Sequence, residues 1–160
     1  MKWLNSLFSK KQTNNVPTES SNDINKEWDE VFRAYTSMDL KKMLKVTELK
    51  TSLINRHYLL QSIVSESYKI RKEEYYKNVC IEFSEKHLKE FPEIYTKLKD
   101  DNNGDMPRVT TFQLYSTLLT ELGEYEKAIS ICEKAITYGL NDGTKSNFQG
   151  RIERIRKKSG

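Results

Sequence analysis

Glycine, proline, cysteine and histidine are scarce in this sequence. Its 160 residues include six glycines, three prolines, two cysteines and two histidines, and the first glycine is Gly104. A β-rich fold needs more of the turn residues that separate short strands. The chain is long enough for one domain with a hydrophobic core, so the scarcity of turn residues predicts an all-α fold.

Long apolar runs are also missing. No stretch approaches the roughly 18 apolar residues that indicate a membrane span. The apolar run near the N-terminus is too short for a secretory signal and lacks a small-residue cleavage site, and Lys2 stands where N-myristoylation requires glycine. We therefore expect a cytoplasmic protein, with a peripheral position at the inner membrane as the alternative.

The sequence lacks the clustered ligands of a metal site. Cys80 and Cys132 are far apart, whereas zinc sites need Cys or His pairs at short spacing. We expect two reduced structural thiols. The acidic stretch 100–105 is not an EF-hand loop, because Lys99 and Thr110 occupy its two end-ligand positions. No metal and no cofactor is predicted.

Catalytic motifs are missing as well. There is no glycine-rich phosphate loop, no Gly-x-Ser-x-Gly turn and no His-Glu-x-x-His pair. His57 and His87 lie in helical patterns without a serine or cysteine at a spacing that implies activation. We expect both to be partly buried structural residues and predict that the protein is not an enzyme.

Charged residues, in contrast, are abundant. They make up 31% of the chain, against roughly 25% in an average globular protein. This excess fits slender helices with long polar faces. The net charge of +4 permits an anionic partner without requiring one.

The most regular stretch is 109–142. Two apolar series at three-and-four spacing predict two antiparallel helices. They are joined at Gly123, which can adopt the left-handed conformation at low cost, and the second ends at Gly139. The apolar residues of the first helix are Phe112, Tyr115, Leu118, Leu119 and Leu122, and those of the second are Ala128, Ile129, Ile131, Cys132, Ala135 and Ile136.

This stretch resembles one tetratricopeptide repeat (TPR), a helix–turn–helix unit of about 34 residues. In that family a glycine, an aromatic residue two positions later and a small residue three further let the helices cross closely. Gly123, Tyr125 and Ala128 match this spacing, and Ala135 fills the second small-residue position. The first helix departs from the family pattern at several positions, Tyr115 among them. The resemblance implies stacked helical hairpins, a short TPR-like α-solenoid with a C-terminal capping helix.

A weaker copy precedes this repeat. Residues 80–88 align without a gap with 128–136, sharing isoleucine, glutamate and lysine at matching places. In this alignment His87 falls at a small-residue position. We interpret 61–94 as a degenerate earlier repeat.

An insertion must separate the two units, because their offset exceeds the family's period of about 34 residues. Pro92, the acidic stretch 100–105 and Pro107 are where we expect this loop.

The N-terminal part divides into three segments. Residues 1–11 are predicted to form a short amphipathic segment, 12–25 a flexible polar linker, and 26–158 the TPR-like domain. Membrane contact, docking on protein and disorder all stay open for the first segment, because so short a helix is marginal in water. Its apolar residues are Trp3, Leu4, Leu7 and Phe8.

Order is predicted to begin near Asp23 as an N-cap, with a first helix to about Thr36. Asp39 is predicted to cap a second helix. The pattern from there to about Arg71 fits one long helix or two helices broken near Asn55, and the sequence leaves both open. The apolar residues of the first helix are Trp28, Val31, Phe32 and Tyr35.

A last amphipathic helix is predicted over 145–158. Phe148, Ile152 and Ile155 share one face, and Gly150 permits a close approach. The basic residues on the other side fit the polar outer face that ends a repeat array and the negative end of the helix dipole. A role in binding phosphate or an acidic peptide is the alternative.

The resemblance implies recognition. Stacked repeats leave one face free, and in the family the first helix of each unit lines it and holds an extended peptide or a partner's helix. The polar centre and basic flanks of this face suit an acidic or carboxylate-bearing segment. The partner-binding positions carried over to this sequence are Lys69, Lys72, Gln113, Thr117, Thr120, Glu121, Asn147, Arg151 and Arg154.

A non-enzymatic protein-interaction module is the leading hypothesis. The alternative is a peripheral membrane adaptor tethered by residues 1–11. Nucleic-acid binding by the basic C-terminal helix is weaker, because the sequence lacks an aromatic-studded basic groove. Since so few repeats leave an edge exposed, the 28–35 helix or a second copy of the chain is expected to cover it, and homodimerisation stays open.

Overall fold

The computed structural model describes residues 21–160, which form helices and connecting turns without a strand. The predicted all-α fold is confirmed. The predicted amphipathic segment 1–11 lies outside the described residues. The described helices are α1 Ser21–Thr36, α2 Leu40–Lys45, α3 Leu53–Lys69, α4 Glu74–Asp101, α5 Thr111–Glu121, α6 Tyr125–Thr137 and α7 Asn147–Ser159.

The first helix begins earlier than predicted. Because α1 starts at Ser21, residues 21–25 of the predicted linker are helical. Asp23 is therefore not the N-cap. It lies in the first turn, where a carboxylate favours the positive end of the helix dipole.

Side-chain caps separate α2 from α3. Asp39 Oδ1 accepts hydrogen bonds from Lys41 N at 3.0 Å and Lys42 N at 3.2 Å, so it caps α2 as predicted. Ser52 Oγ accepts one from Asn55 N at 3.1 Å and caps α3. Of the two open alternatives, the structure has two helices, and the break spans 46–52.

Pro92 lies inside α4, so its predicted loop position is wrong. Proline in a helix interior costs roughly 3 kcal/mol because it removes a backbone hydrogen bond. Phe91, Ile94 and Leu98 are buried on the same helix, and burial of each such side chain contributes about 1.5–3 kcal/mol. The apolar stripe therefore continues the helix past the proline, and the loop shortens to 102–110.

The helices pack as two hairpins with flanking elements. α3 pairs with α4 and α5 pairs with α6, while α5 also contacts both helices of the first hairpin. α1 and α2 pack against α3, and α7 packs against α6. Gly123 turns the second hairpin with φ +78°, the left-handed conformation that the sequence predicted.

Two hydrophobic clusters form the interior, and α4 contributes to both. The N-terminal cluster lies among α1, α2, α3, the first half of α4 and Leu118 of α5. The C-terminal cluster lies among the second half of α4, α5, α6 and α7. Cys80 and Cys132 are buried free thiols, one in each cluster, and burial raises the pKa of both.

Candidate functional site

A groove with a volume of about 180 Å³ lies between α5 and α7. We call it the basic groove. It brings together five of the predicted partner-binding residues, and two further residues complete its lining. The lining consists of Thr117, Thr120 and Glu121 from α5 and of Arg151, Arg154, Ile155 and Lys158 from α7.

Helical spacing places these side chains on facing walls. On both helices the polar lining residues stand three and four positions apart, so each set shares one helix face. Phe148 and Ile152 are buried on the neighbouring face of α7, which fixes the rotation of that helix. Gly150 is buried too, and a Cβ there would lie 2.3 Å from Ser146 Cβ at the N-terminus of the same helix, so the glycine leaves room for the Ser146 side chain.

Arg151 is held firmly at one wall. Its guanidinium donates to Thr117 Oγ1 at 2.8 Å and to Asp142 Oδ2 at 3.1 and 3.3 Å. The other oxygen of the buried Asp142 accepts hydrogen bonds from Thr144 N and Oγ1. Burial raises the pKa of Asp142, but hydrogen bonds from Thr144 and Arg151 outweigh it, and the net pKa lies below its ordinary value. Arg151 is therefore a positioned cation whose charge is already balanced.

Glu121 is also neutralised. Arg71, in the turn after α3, donates from Nε and Nη2 to its two carboxylate oxygens at 2.8 and 2.7 Å, a bidentate geometry. These hydrogen bonds are the main cause that lowers the pKa of Glu121, and the charge of Lys158 adds to it. The only acidic side chain in the groove lining thus contributes little net negative charge.

Arg154 and Lys158 carry the remaining positive charge of the groove. Both are exposed, and among residues 21–160 neither forms an ion pair with a carboxylate. Arg154 Nη1 donates to Ser146 Oγ at 3.0 Å, a neutral acceptor. Both cations can therefore receive a carboxylate from outside without breaking an existing pair.

Two predicted residues lie near the groove without lining it. Gln113 is half-buried on α5, four residues before Thr117, and its buried Oε1 has no partner among the described residues. Asn147 Oδ1 accepts hydrogen bonds from Asp142 N at 3.0 Å and from Phe148 N at 2.8 Å. The Asn147 side chain thus joins the 142 loop to the start of α7.

The two lysines predicted in the earlier unit lie apart from the groove. Lys69 pairs with Glu66 at 2.6 Å on α3. Lys72 is exposed in the turn between α3 and α4. The structure therefore concentrates the groove's cations on α7.

The predicted partner-binding positions omitted Lys158, which was assigned only to the basic side of the last helix, and Arg71. Lys158 follows Arg154 by four residues, so helical spacing could have found it. Arg71 has no such signal, because its pairing with Glu121 depends on how the first hairpin meets the end of α5.

The two histidines lie far inside the protein. His57 Nδ1 and His87 Nε2 are 3.0 Å apart, and His87 Nδ1 is 2.7 Å from Thr111 Oγ1. Both rings have 0% exposure, more than the partial burial that was expected. Burial lowers the pKa of His57 to about 4 and, together with the charges of His57 and Arg56, lowers that of His87 well below its ordinary value. Neither ring is open to a substrate.

Within residues 21–160, no group of three His, Cys, Asp or Glu side chains could hold a metal ion. Residues 102–105 of the acidic stretch are exposed, as expected for a solvated loop. None of the helices in this part of the chain combines the length and the apolar character needed to cross a bilayer.

Comparison of the chain with protein-family models, with curated proteins and with solved structures finds no match. The helix contacts and the basic groove are therefore the features from which a function can be argued.

Proposed function

We propose that this protein is a TPR-like interaction module that binds an acidic protein segment in the basic groove and catalyses no reaction. The observation that carries the proposal is the pair Arg154 and Lys158. These are two exposed cations without a carboxylate partner in the described part of the chain, and they stand beside a wall of threonines.

The order of helix contacts supports the repeat-like part of the proposal. In a stacked array, the first helix of a unit packs on both helices of the preceding unit. α5 has this relation to α3 and α4. α7 packs on α6 and meets α5 through the hydrogen bond from Arg151 to Thr117, so it shares this relation only in part. Such stacking leaves one face free for a partner.

The threonine wall adds a second kind of contact. Thr120 Oγ1 donates to Ser116 O at 2.7 Å, and Thr117 Oγ1 donates to Gln113 O at 2.7 Å. Because both hydroxyl protons are engaged within the helix, Thr120 Oγ1 faces a ligand as an acceptor. A backbone N–H of the bound segment can donate to it while a neighbouring carboxylate reaches Arg154 or Lys158.

Selection from a displayed random peptide library on the full chain tests the proposal. We expect the retained peptides to be enriched in aspartate and glutamate. The charge reversal Arg154→Glu with Lys158→Glu should weaken the binding of these peptides, once synthesised, by about tenfold or more. Their affinity for the unchanged protein should fall as salt is raised.

Lys26→Glu with Lys89→Glu is the matched control. Both lysines are exposed, on α1 and α4, and make no ion pair within residues 21–160, so this variant has the same net charge without touching the groove. It should change affinity less than twofold, since distant exposed charges are largely screened. Equal losses in both variants, or retained peptides without acidic enrichment, would remove the basic groove as the binding site.

The peripheral-membrane alternative depends on residues 1–11, which lie outside the described residues.

A further inference from the structure

An exposed aromatic surface lies at the opposite end of the molecule from α7. Phe32 and Tyr35 on α1 meet edge to face at 5.4 Å between ring centroids, and Tyr35 stacks on Tyr58 of α3 at 5.8 Å. Trp28 is one turn before Phe32 on the same face of α1. Together Trp28, Phe32, Tyr35 and Tyr58 form what we call the aromatic surface.

Much of this surface faces solvent. Trp28 is 38% exposed and Phe32 is 51% exposed, whereas Val31 and Ala34 form the buried face of α1. Asn55 holds the arrangement in place, because it accepts a hydrogen bond from Tyr35 Oη at 3.1 Å and donates to Trp28 O at 3.5 Å. Adjacent exposed aromatic rings on a fixed framework are typical of a binding surface.

Polar contacts connect the aromatic surface to the basic groove. Along α3, Tyr58 and Ser65 are seven residues apart and therefore share one face. Ser65 Oγ lies 3.5 Å from Thr110 Oγ1 at the start of α5. Seven residues further along α5 is Thr117, which binds Arg151 of α7. These contacts link α1, α3, α5 and α7 in that order.

We propose that the aromatic surface and the basic groove form one binding face for a single protein segment that carries an aromatic or large aliphatic anchor as well as acidic residues. The anchor packs on Trp28 and Phe32, and the acidic residues lie in the basic groove. The inference rests on the proposed function and adds a second subsite to it. The occupant is a partner segment because the exposed cations in the basic groove attract carboxylates, whereas the exposed rings of Trp28 and Phe32 can bury an apolar side chain.

The helix spacing sets the length of the segment. Packed helices lie about 8–10 Å apart, so three intervals from α1 to α7 amount to roughly 24–30 Å. An extended chain covers about 3.3–3.6 Å per residue. About seven to nine extended residues therefore cover this span between the anchor and the acidic residues.

Three synthetic peptides on the full chain test the inference. The first carries a Leu-Phe anchor, a Gly/Ser spacer of about ten residues and a Glu-Glu-Glu end, sized from the reach of an extended chain. The second has the same ends with a spacer of about four residues, too short for the same span. The third is the acidic end alone. Trp3→Phe leaves Trp28 as the single tryptophan reporter.

We expect the long-spacer peptide to bind about tenfold more tightly than the other two, as an aromatic anchor typically contributes. It should also shift Trp28 emission to the blue, while the acidic end alone should not. Phe32→Ser should remove the tenfold gain and leave the binding of the acidic peptide unchanged. Tyr75→Ser is the matched control, because Tyr75 is 63% exposed on α4, and it should keep the gain.

The outcomes separate this inference from the proposed function. A gain that survives Phe32→Ser, or that is the same for both spacers, overturns the second subsite and leaves the basic groove standing. Failure of all three peptides to bind overturns both.

Two further outcomes would assign the surface to another occupant and overturn the inference. One is a blue shift of Trp28 with rising protein concentration and no peptide, which indicates a second copy of the chain. The other is a red shift without peptide when Leu4, Leu7 and Phe8 are changed to serine, which indicates the chain's own N-terminal segment.

Discussion

Among the aligned positions of the hairpins α3–α4 and α5–α6, the pair His87 and Ala135 differs most in polarity, and both residues are fully buried. In the second hairpin, Ala135 lies in the C-terminal cluster and has no polar side-chain atom. In the first, the imidazole of His87 contacts His57 of α3 and Thr111 of α5. A small apolar residue thus fills this place in the second hairpin, whereas the histidine joins the first hairpin to the second.

The largest expected effect comes from transferring the histidine to the other hairpin. Ala135→His would force an imidazole into a packed apolar site where it has no partner. Overpacking and an unsatisfied buried polar group together should cost about 4 kcal/mol of unfolding free energy. Urea denaturation measures this loss. Ala135→Gly, which adds no volume, is the control. A stability within 1 kcal/mol of the original, by the usual range for tolerated core changes, would contradict close packing at this position.

The reverse change should have a somewhat smaller effect. His87→Ala removes a buried ring and leaves both His57 Nδ1 and Thr111 Oγ1 without a side-chain partner. The cavity and the lost hydrogen bonds should lower the unfolding free energy by about 3 kcal/mol. This figure is a net value, because folding of the variant no longer requires desolvation of the His87 ring. Denaturation by urea, with an unchanged helical circular dichroism spectrum at low urea, checks this. His57→Ala should show most of the same loss if the two rings act together.

Acid should lower the unfolding free energy of the domain through the two buried histidines of the first hairpin. The pKa of His57 is about 4 in the folded protein and about 6.5 in an unfolded chain, so between these values the unfolded state binds more protons. The contribution of neutral His57 to the unfolding free energy is fully present above pH 6.5 and is lost as pH falls. The loss amounts to about 2 kcal/mol between pH 7 and pH 5. His87 shifts in the same direction and adds to the loss.

The control for this pH effect is the double variant His57→Leu with His87→Ala, which contains no histidine. Its stability should stay level from pH 7 to pH 5, because the lowered pKa values of Glu121 and Asp142 keep these carboxylates ionised there. Parallel losses in both proteins would assign the pH effect to other groups.

The smallest effect concerns the two turns. Gly123 has φ +78° with no atom within 4 Å of an added Cβ, so Gly123→Ala should cost about 1 kcal/mol through backbone strain alone. The turn after α3 contains no glycine, and Lys72→Ala there should stay within about 0.5 kcal/mol, as for most surface changes. Thermal denaturation distinguishes the two. Equal effects would show that the glycine is not required by its conformation.

The second hairpin could be predicted because its information is local. Gly123, Ala128 and Ala135 lie within a few turns of one another. The residue types alone predict a turn at the glycine and small-residue positions at the two alanines. The His57–His87–Thr111 contacts could not be predicted, because they depend on three helices meeting at one point. We predicted a loop at Pro92 from the local rule that proline interrupts helices. In the structure, burial of apolar side chains on the same helix outweighs that rule, and the helix continues through Pro92.

The candidate site also contains some residues that local spacing predicts and others whose role depends on how the helices pack. Helical periodicity placed Arg151 and Arg154 on one face and could have added Lys158. It also assigned Trp28 and Phe32 to the same apolar stripe as Val31. Spacing alone does not distinguish the buried residues at the centre of such a stripe from the exposed residues at its edge. In α1, the small residue Ala34 lies with Val31 at the buried centre. The exposure of Trp28 and Phe32 therefore emerges only when α1 is placed on α3.

The 28 residues of α4 amount to a rod of about 42 Å shared by both hydrophobic clusters. Its first half lies in the N-terminal cluster and its second half in the C-terminal cluster, so complete unfolding of either cluster disrupts this one helix. The chain should therefore melt in one cooperative step, and the slowest-exchanging amides in the molecule should lie along this helix. For the binding face proposed above, this shared rod joins the cluster that supports α1 to the cluster that supports α7.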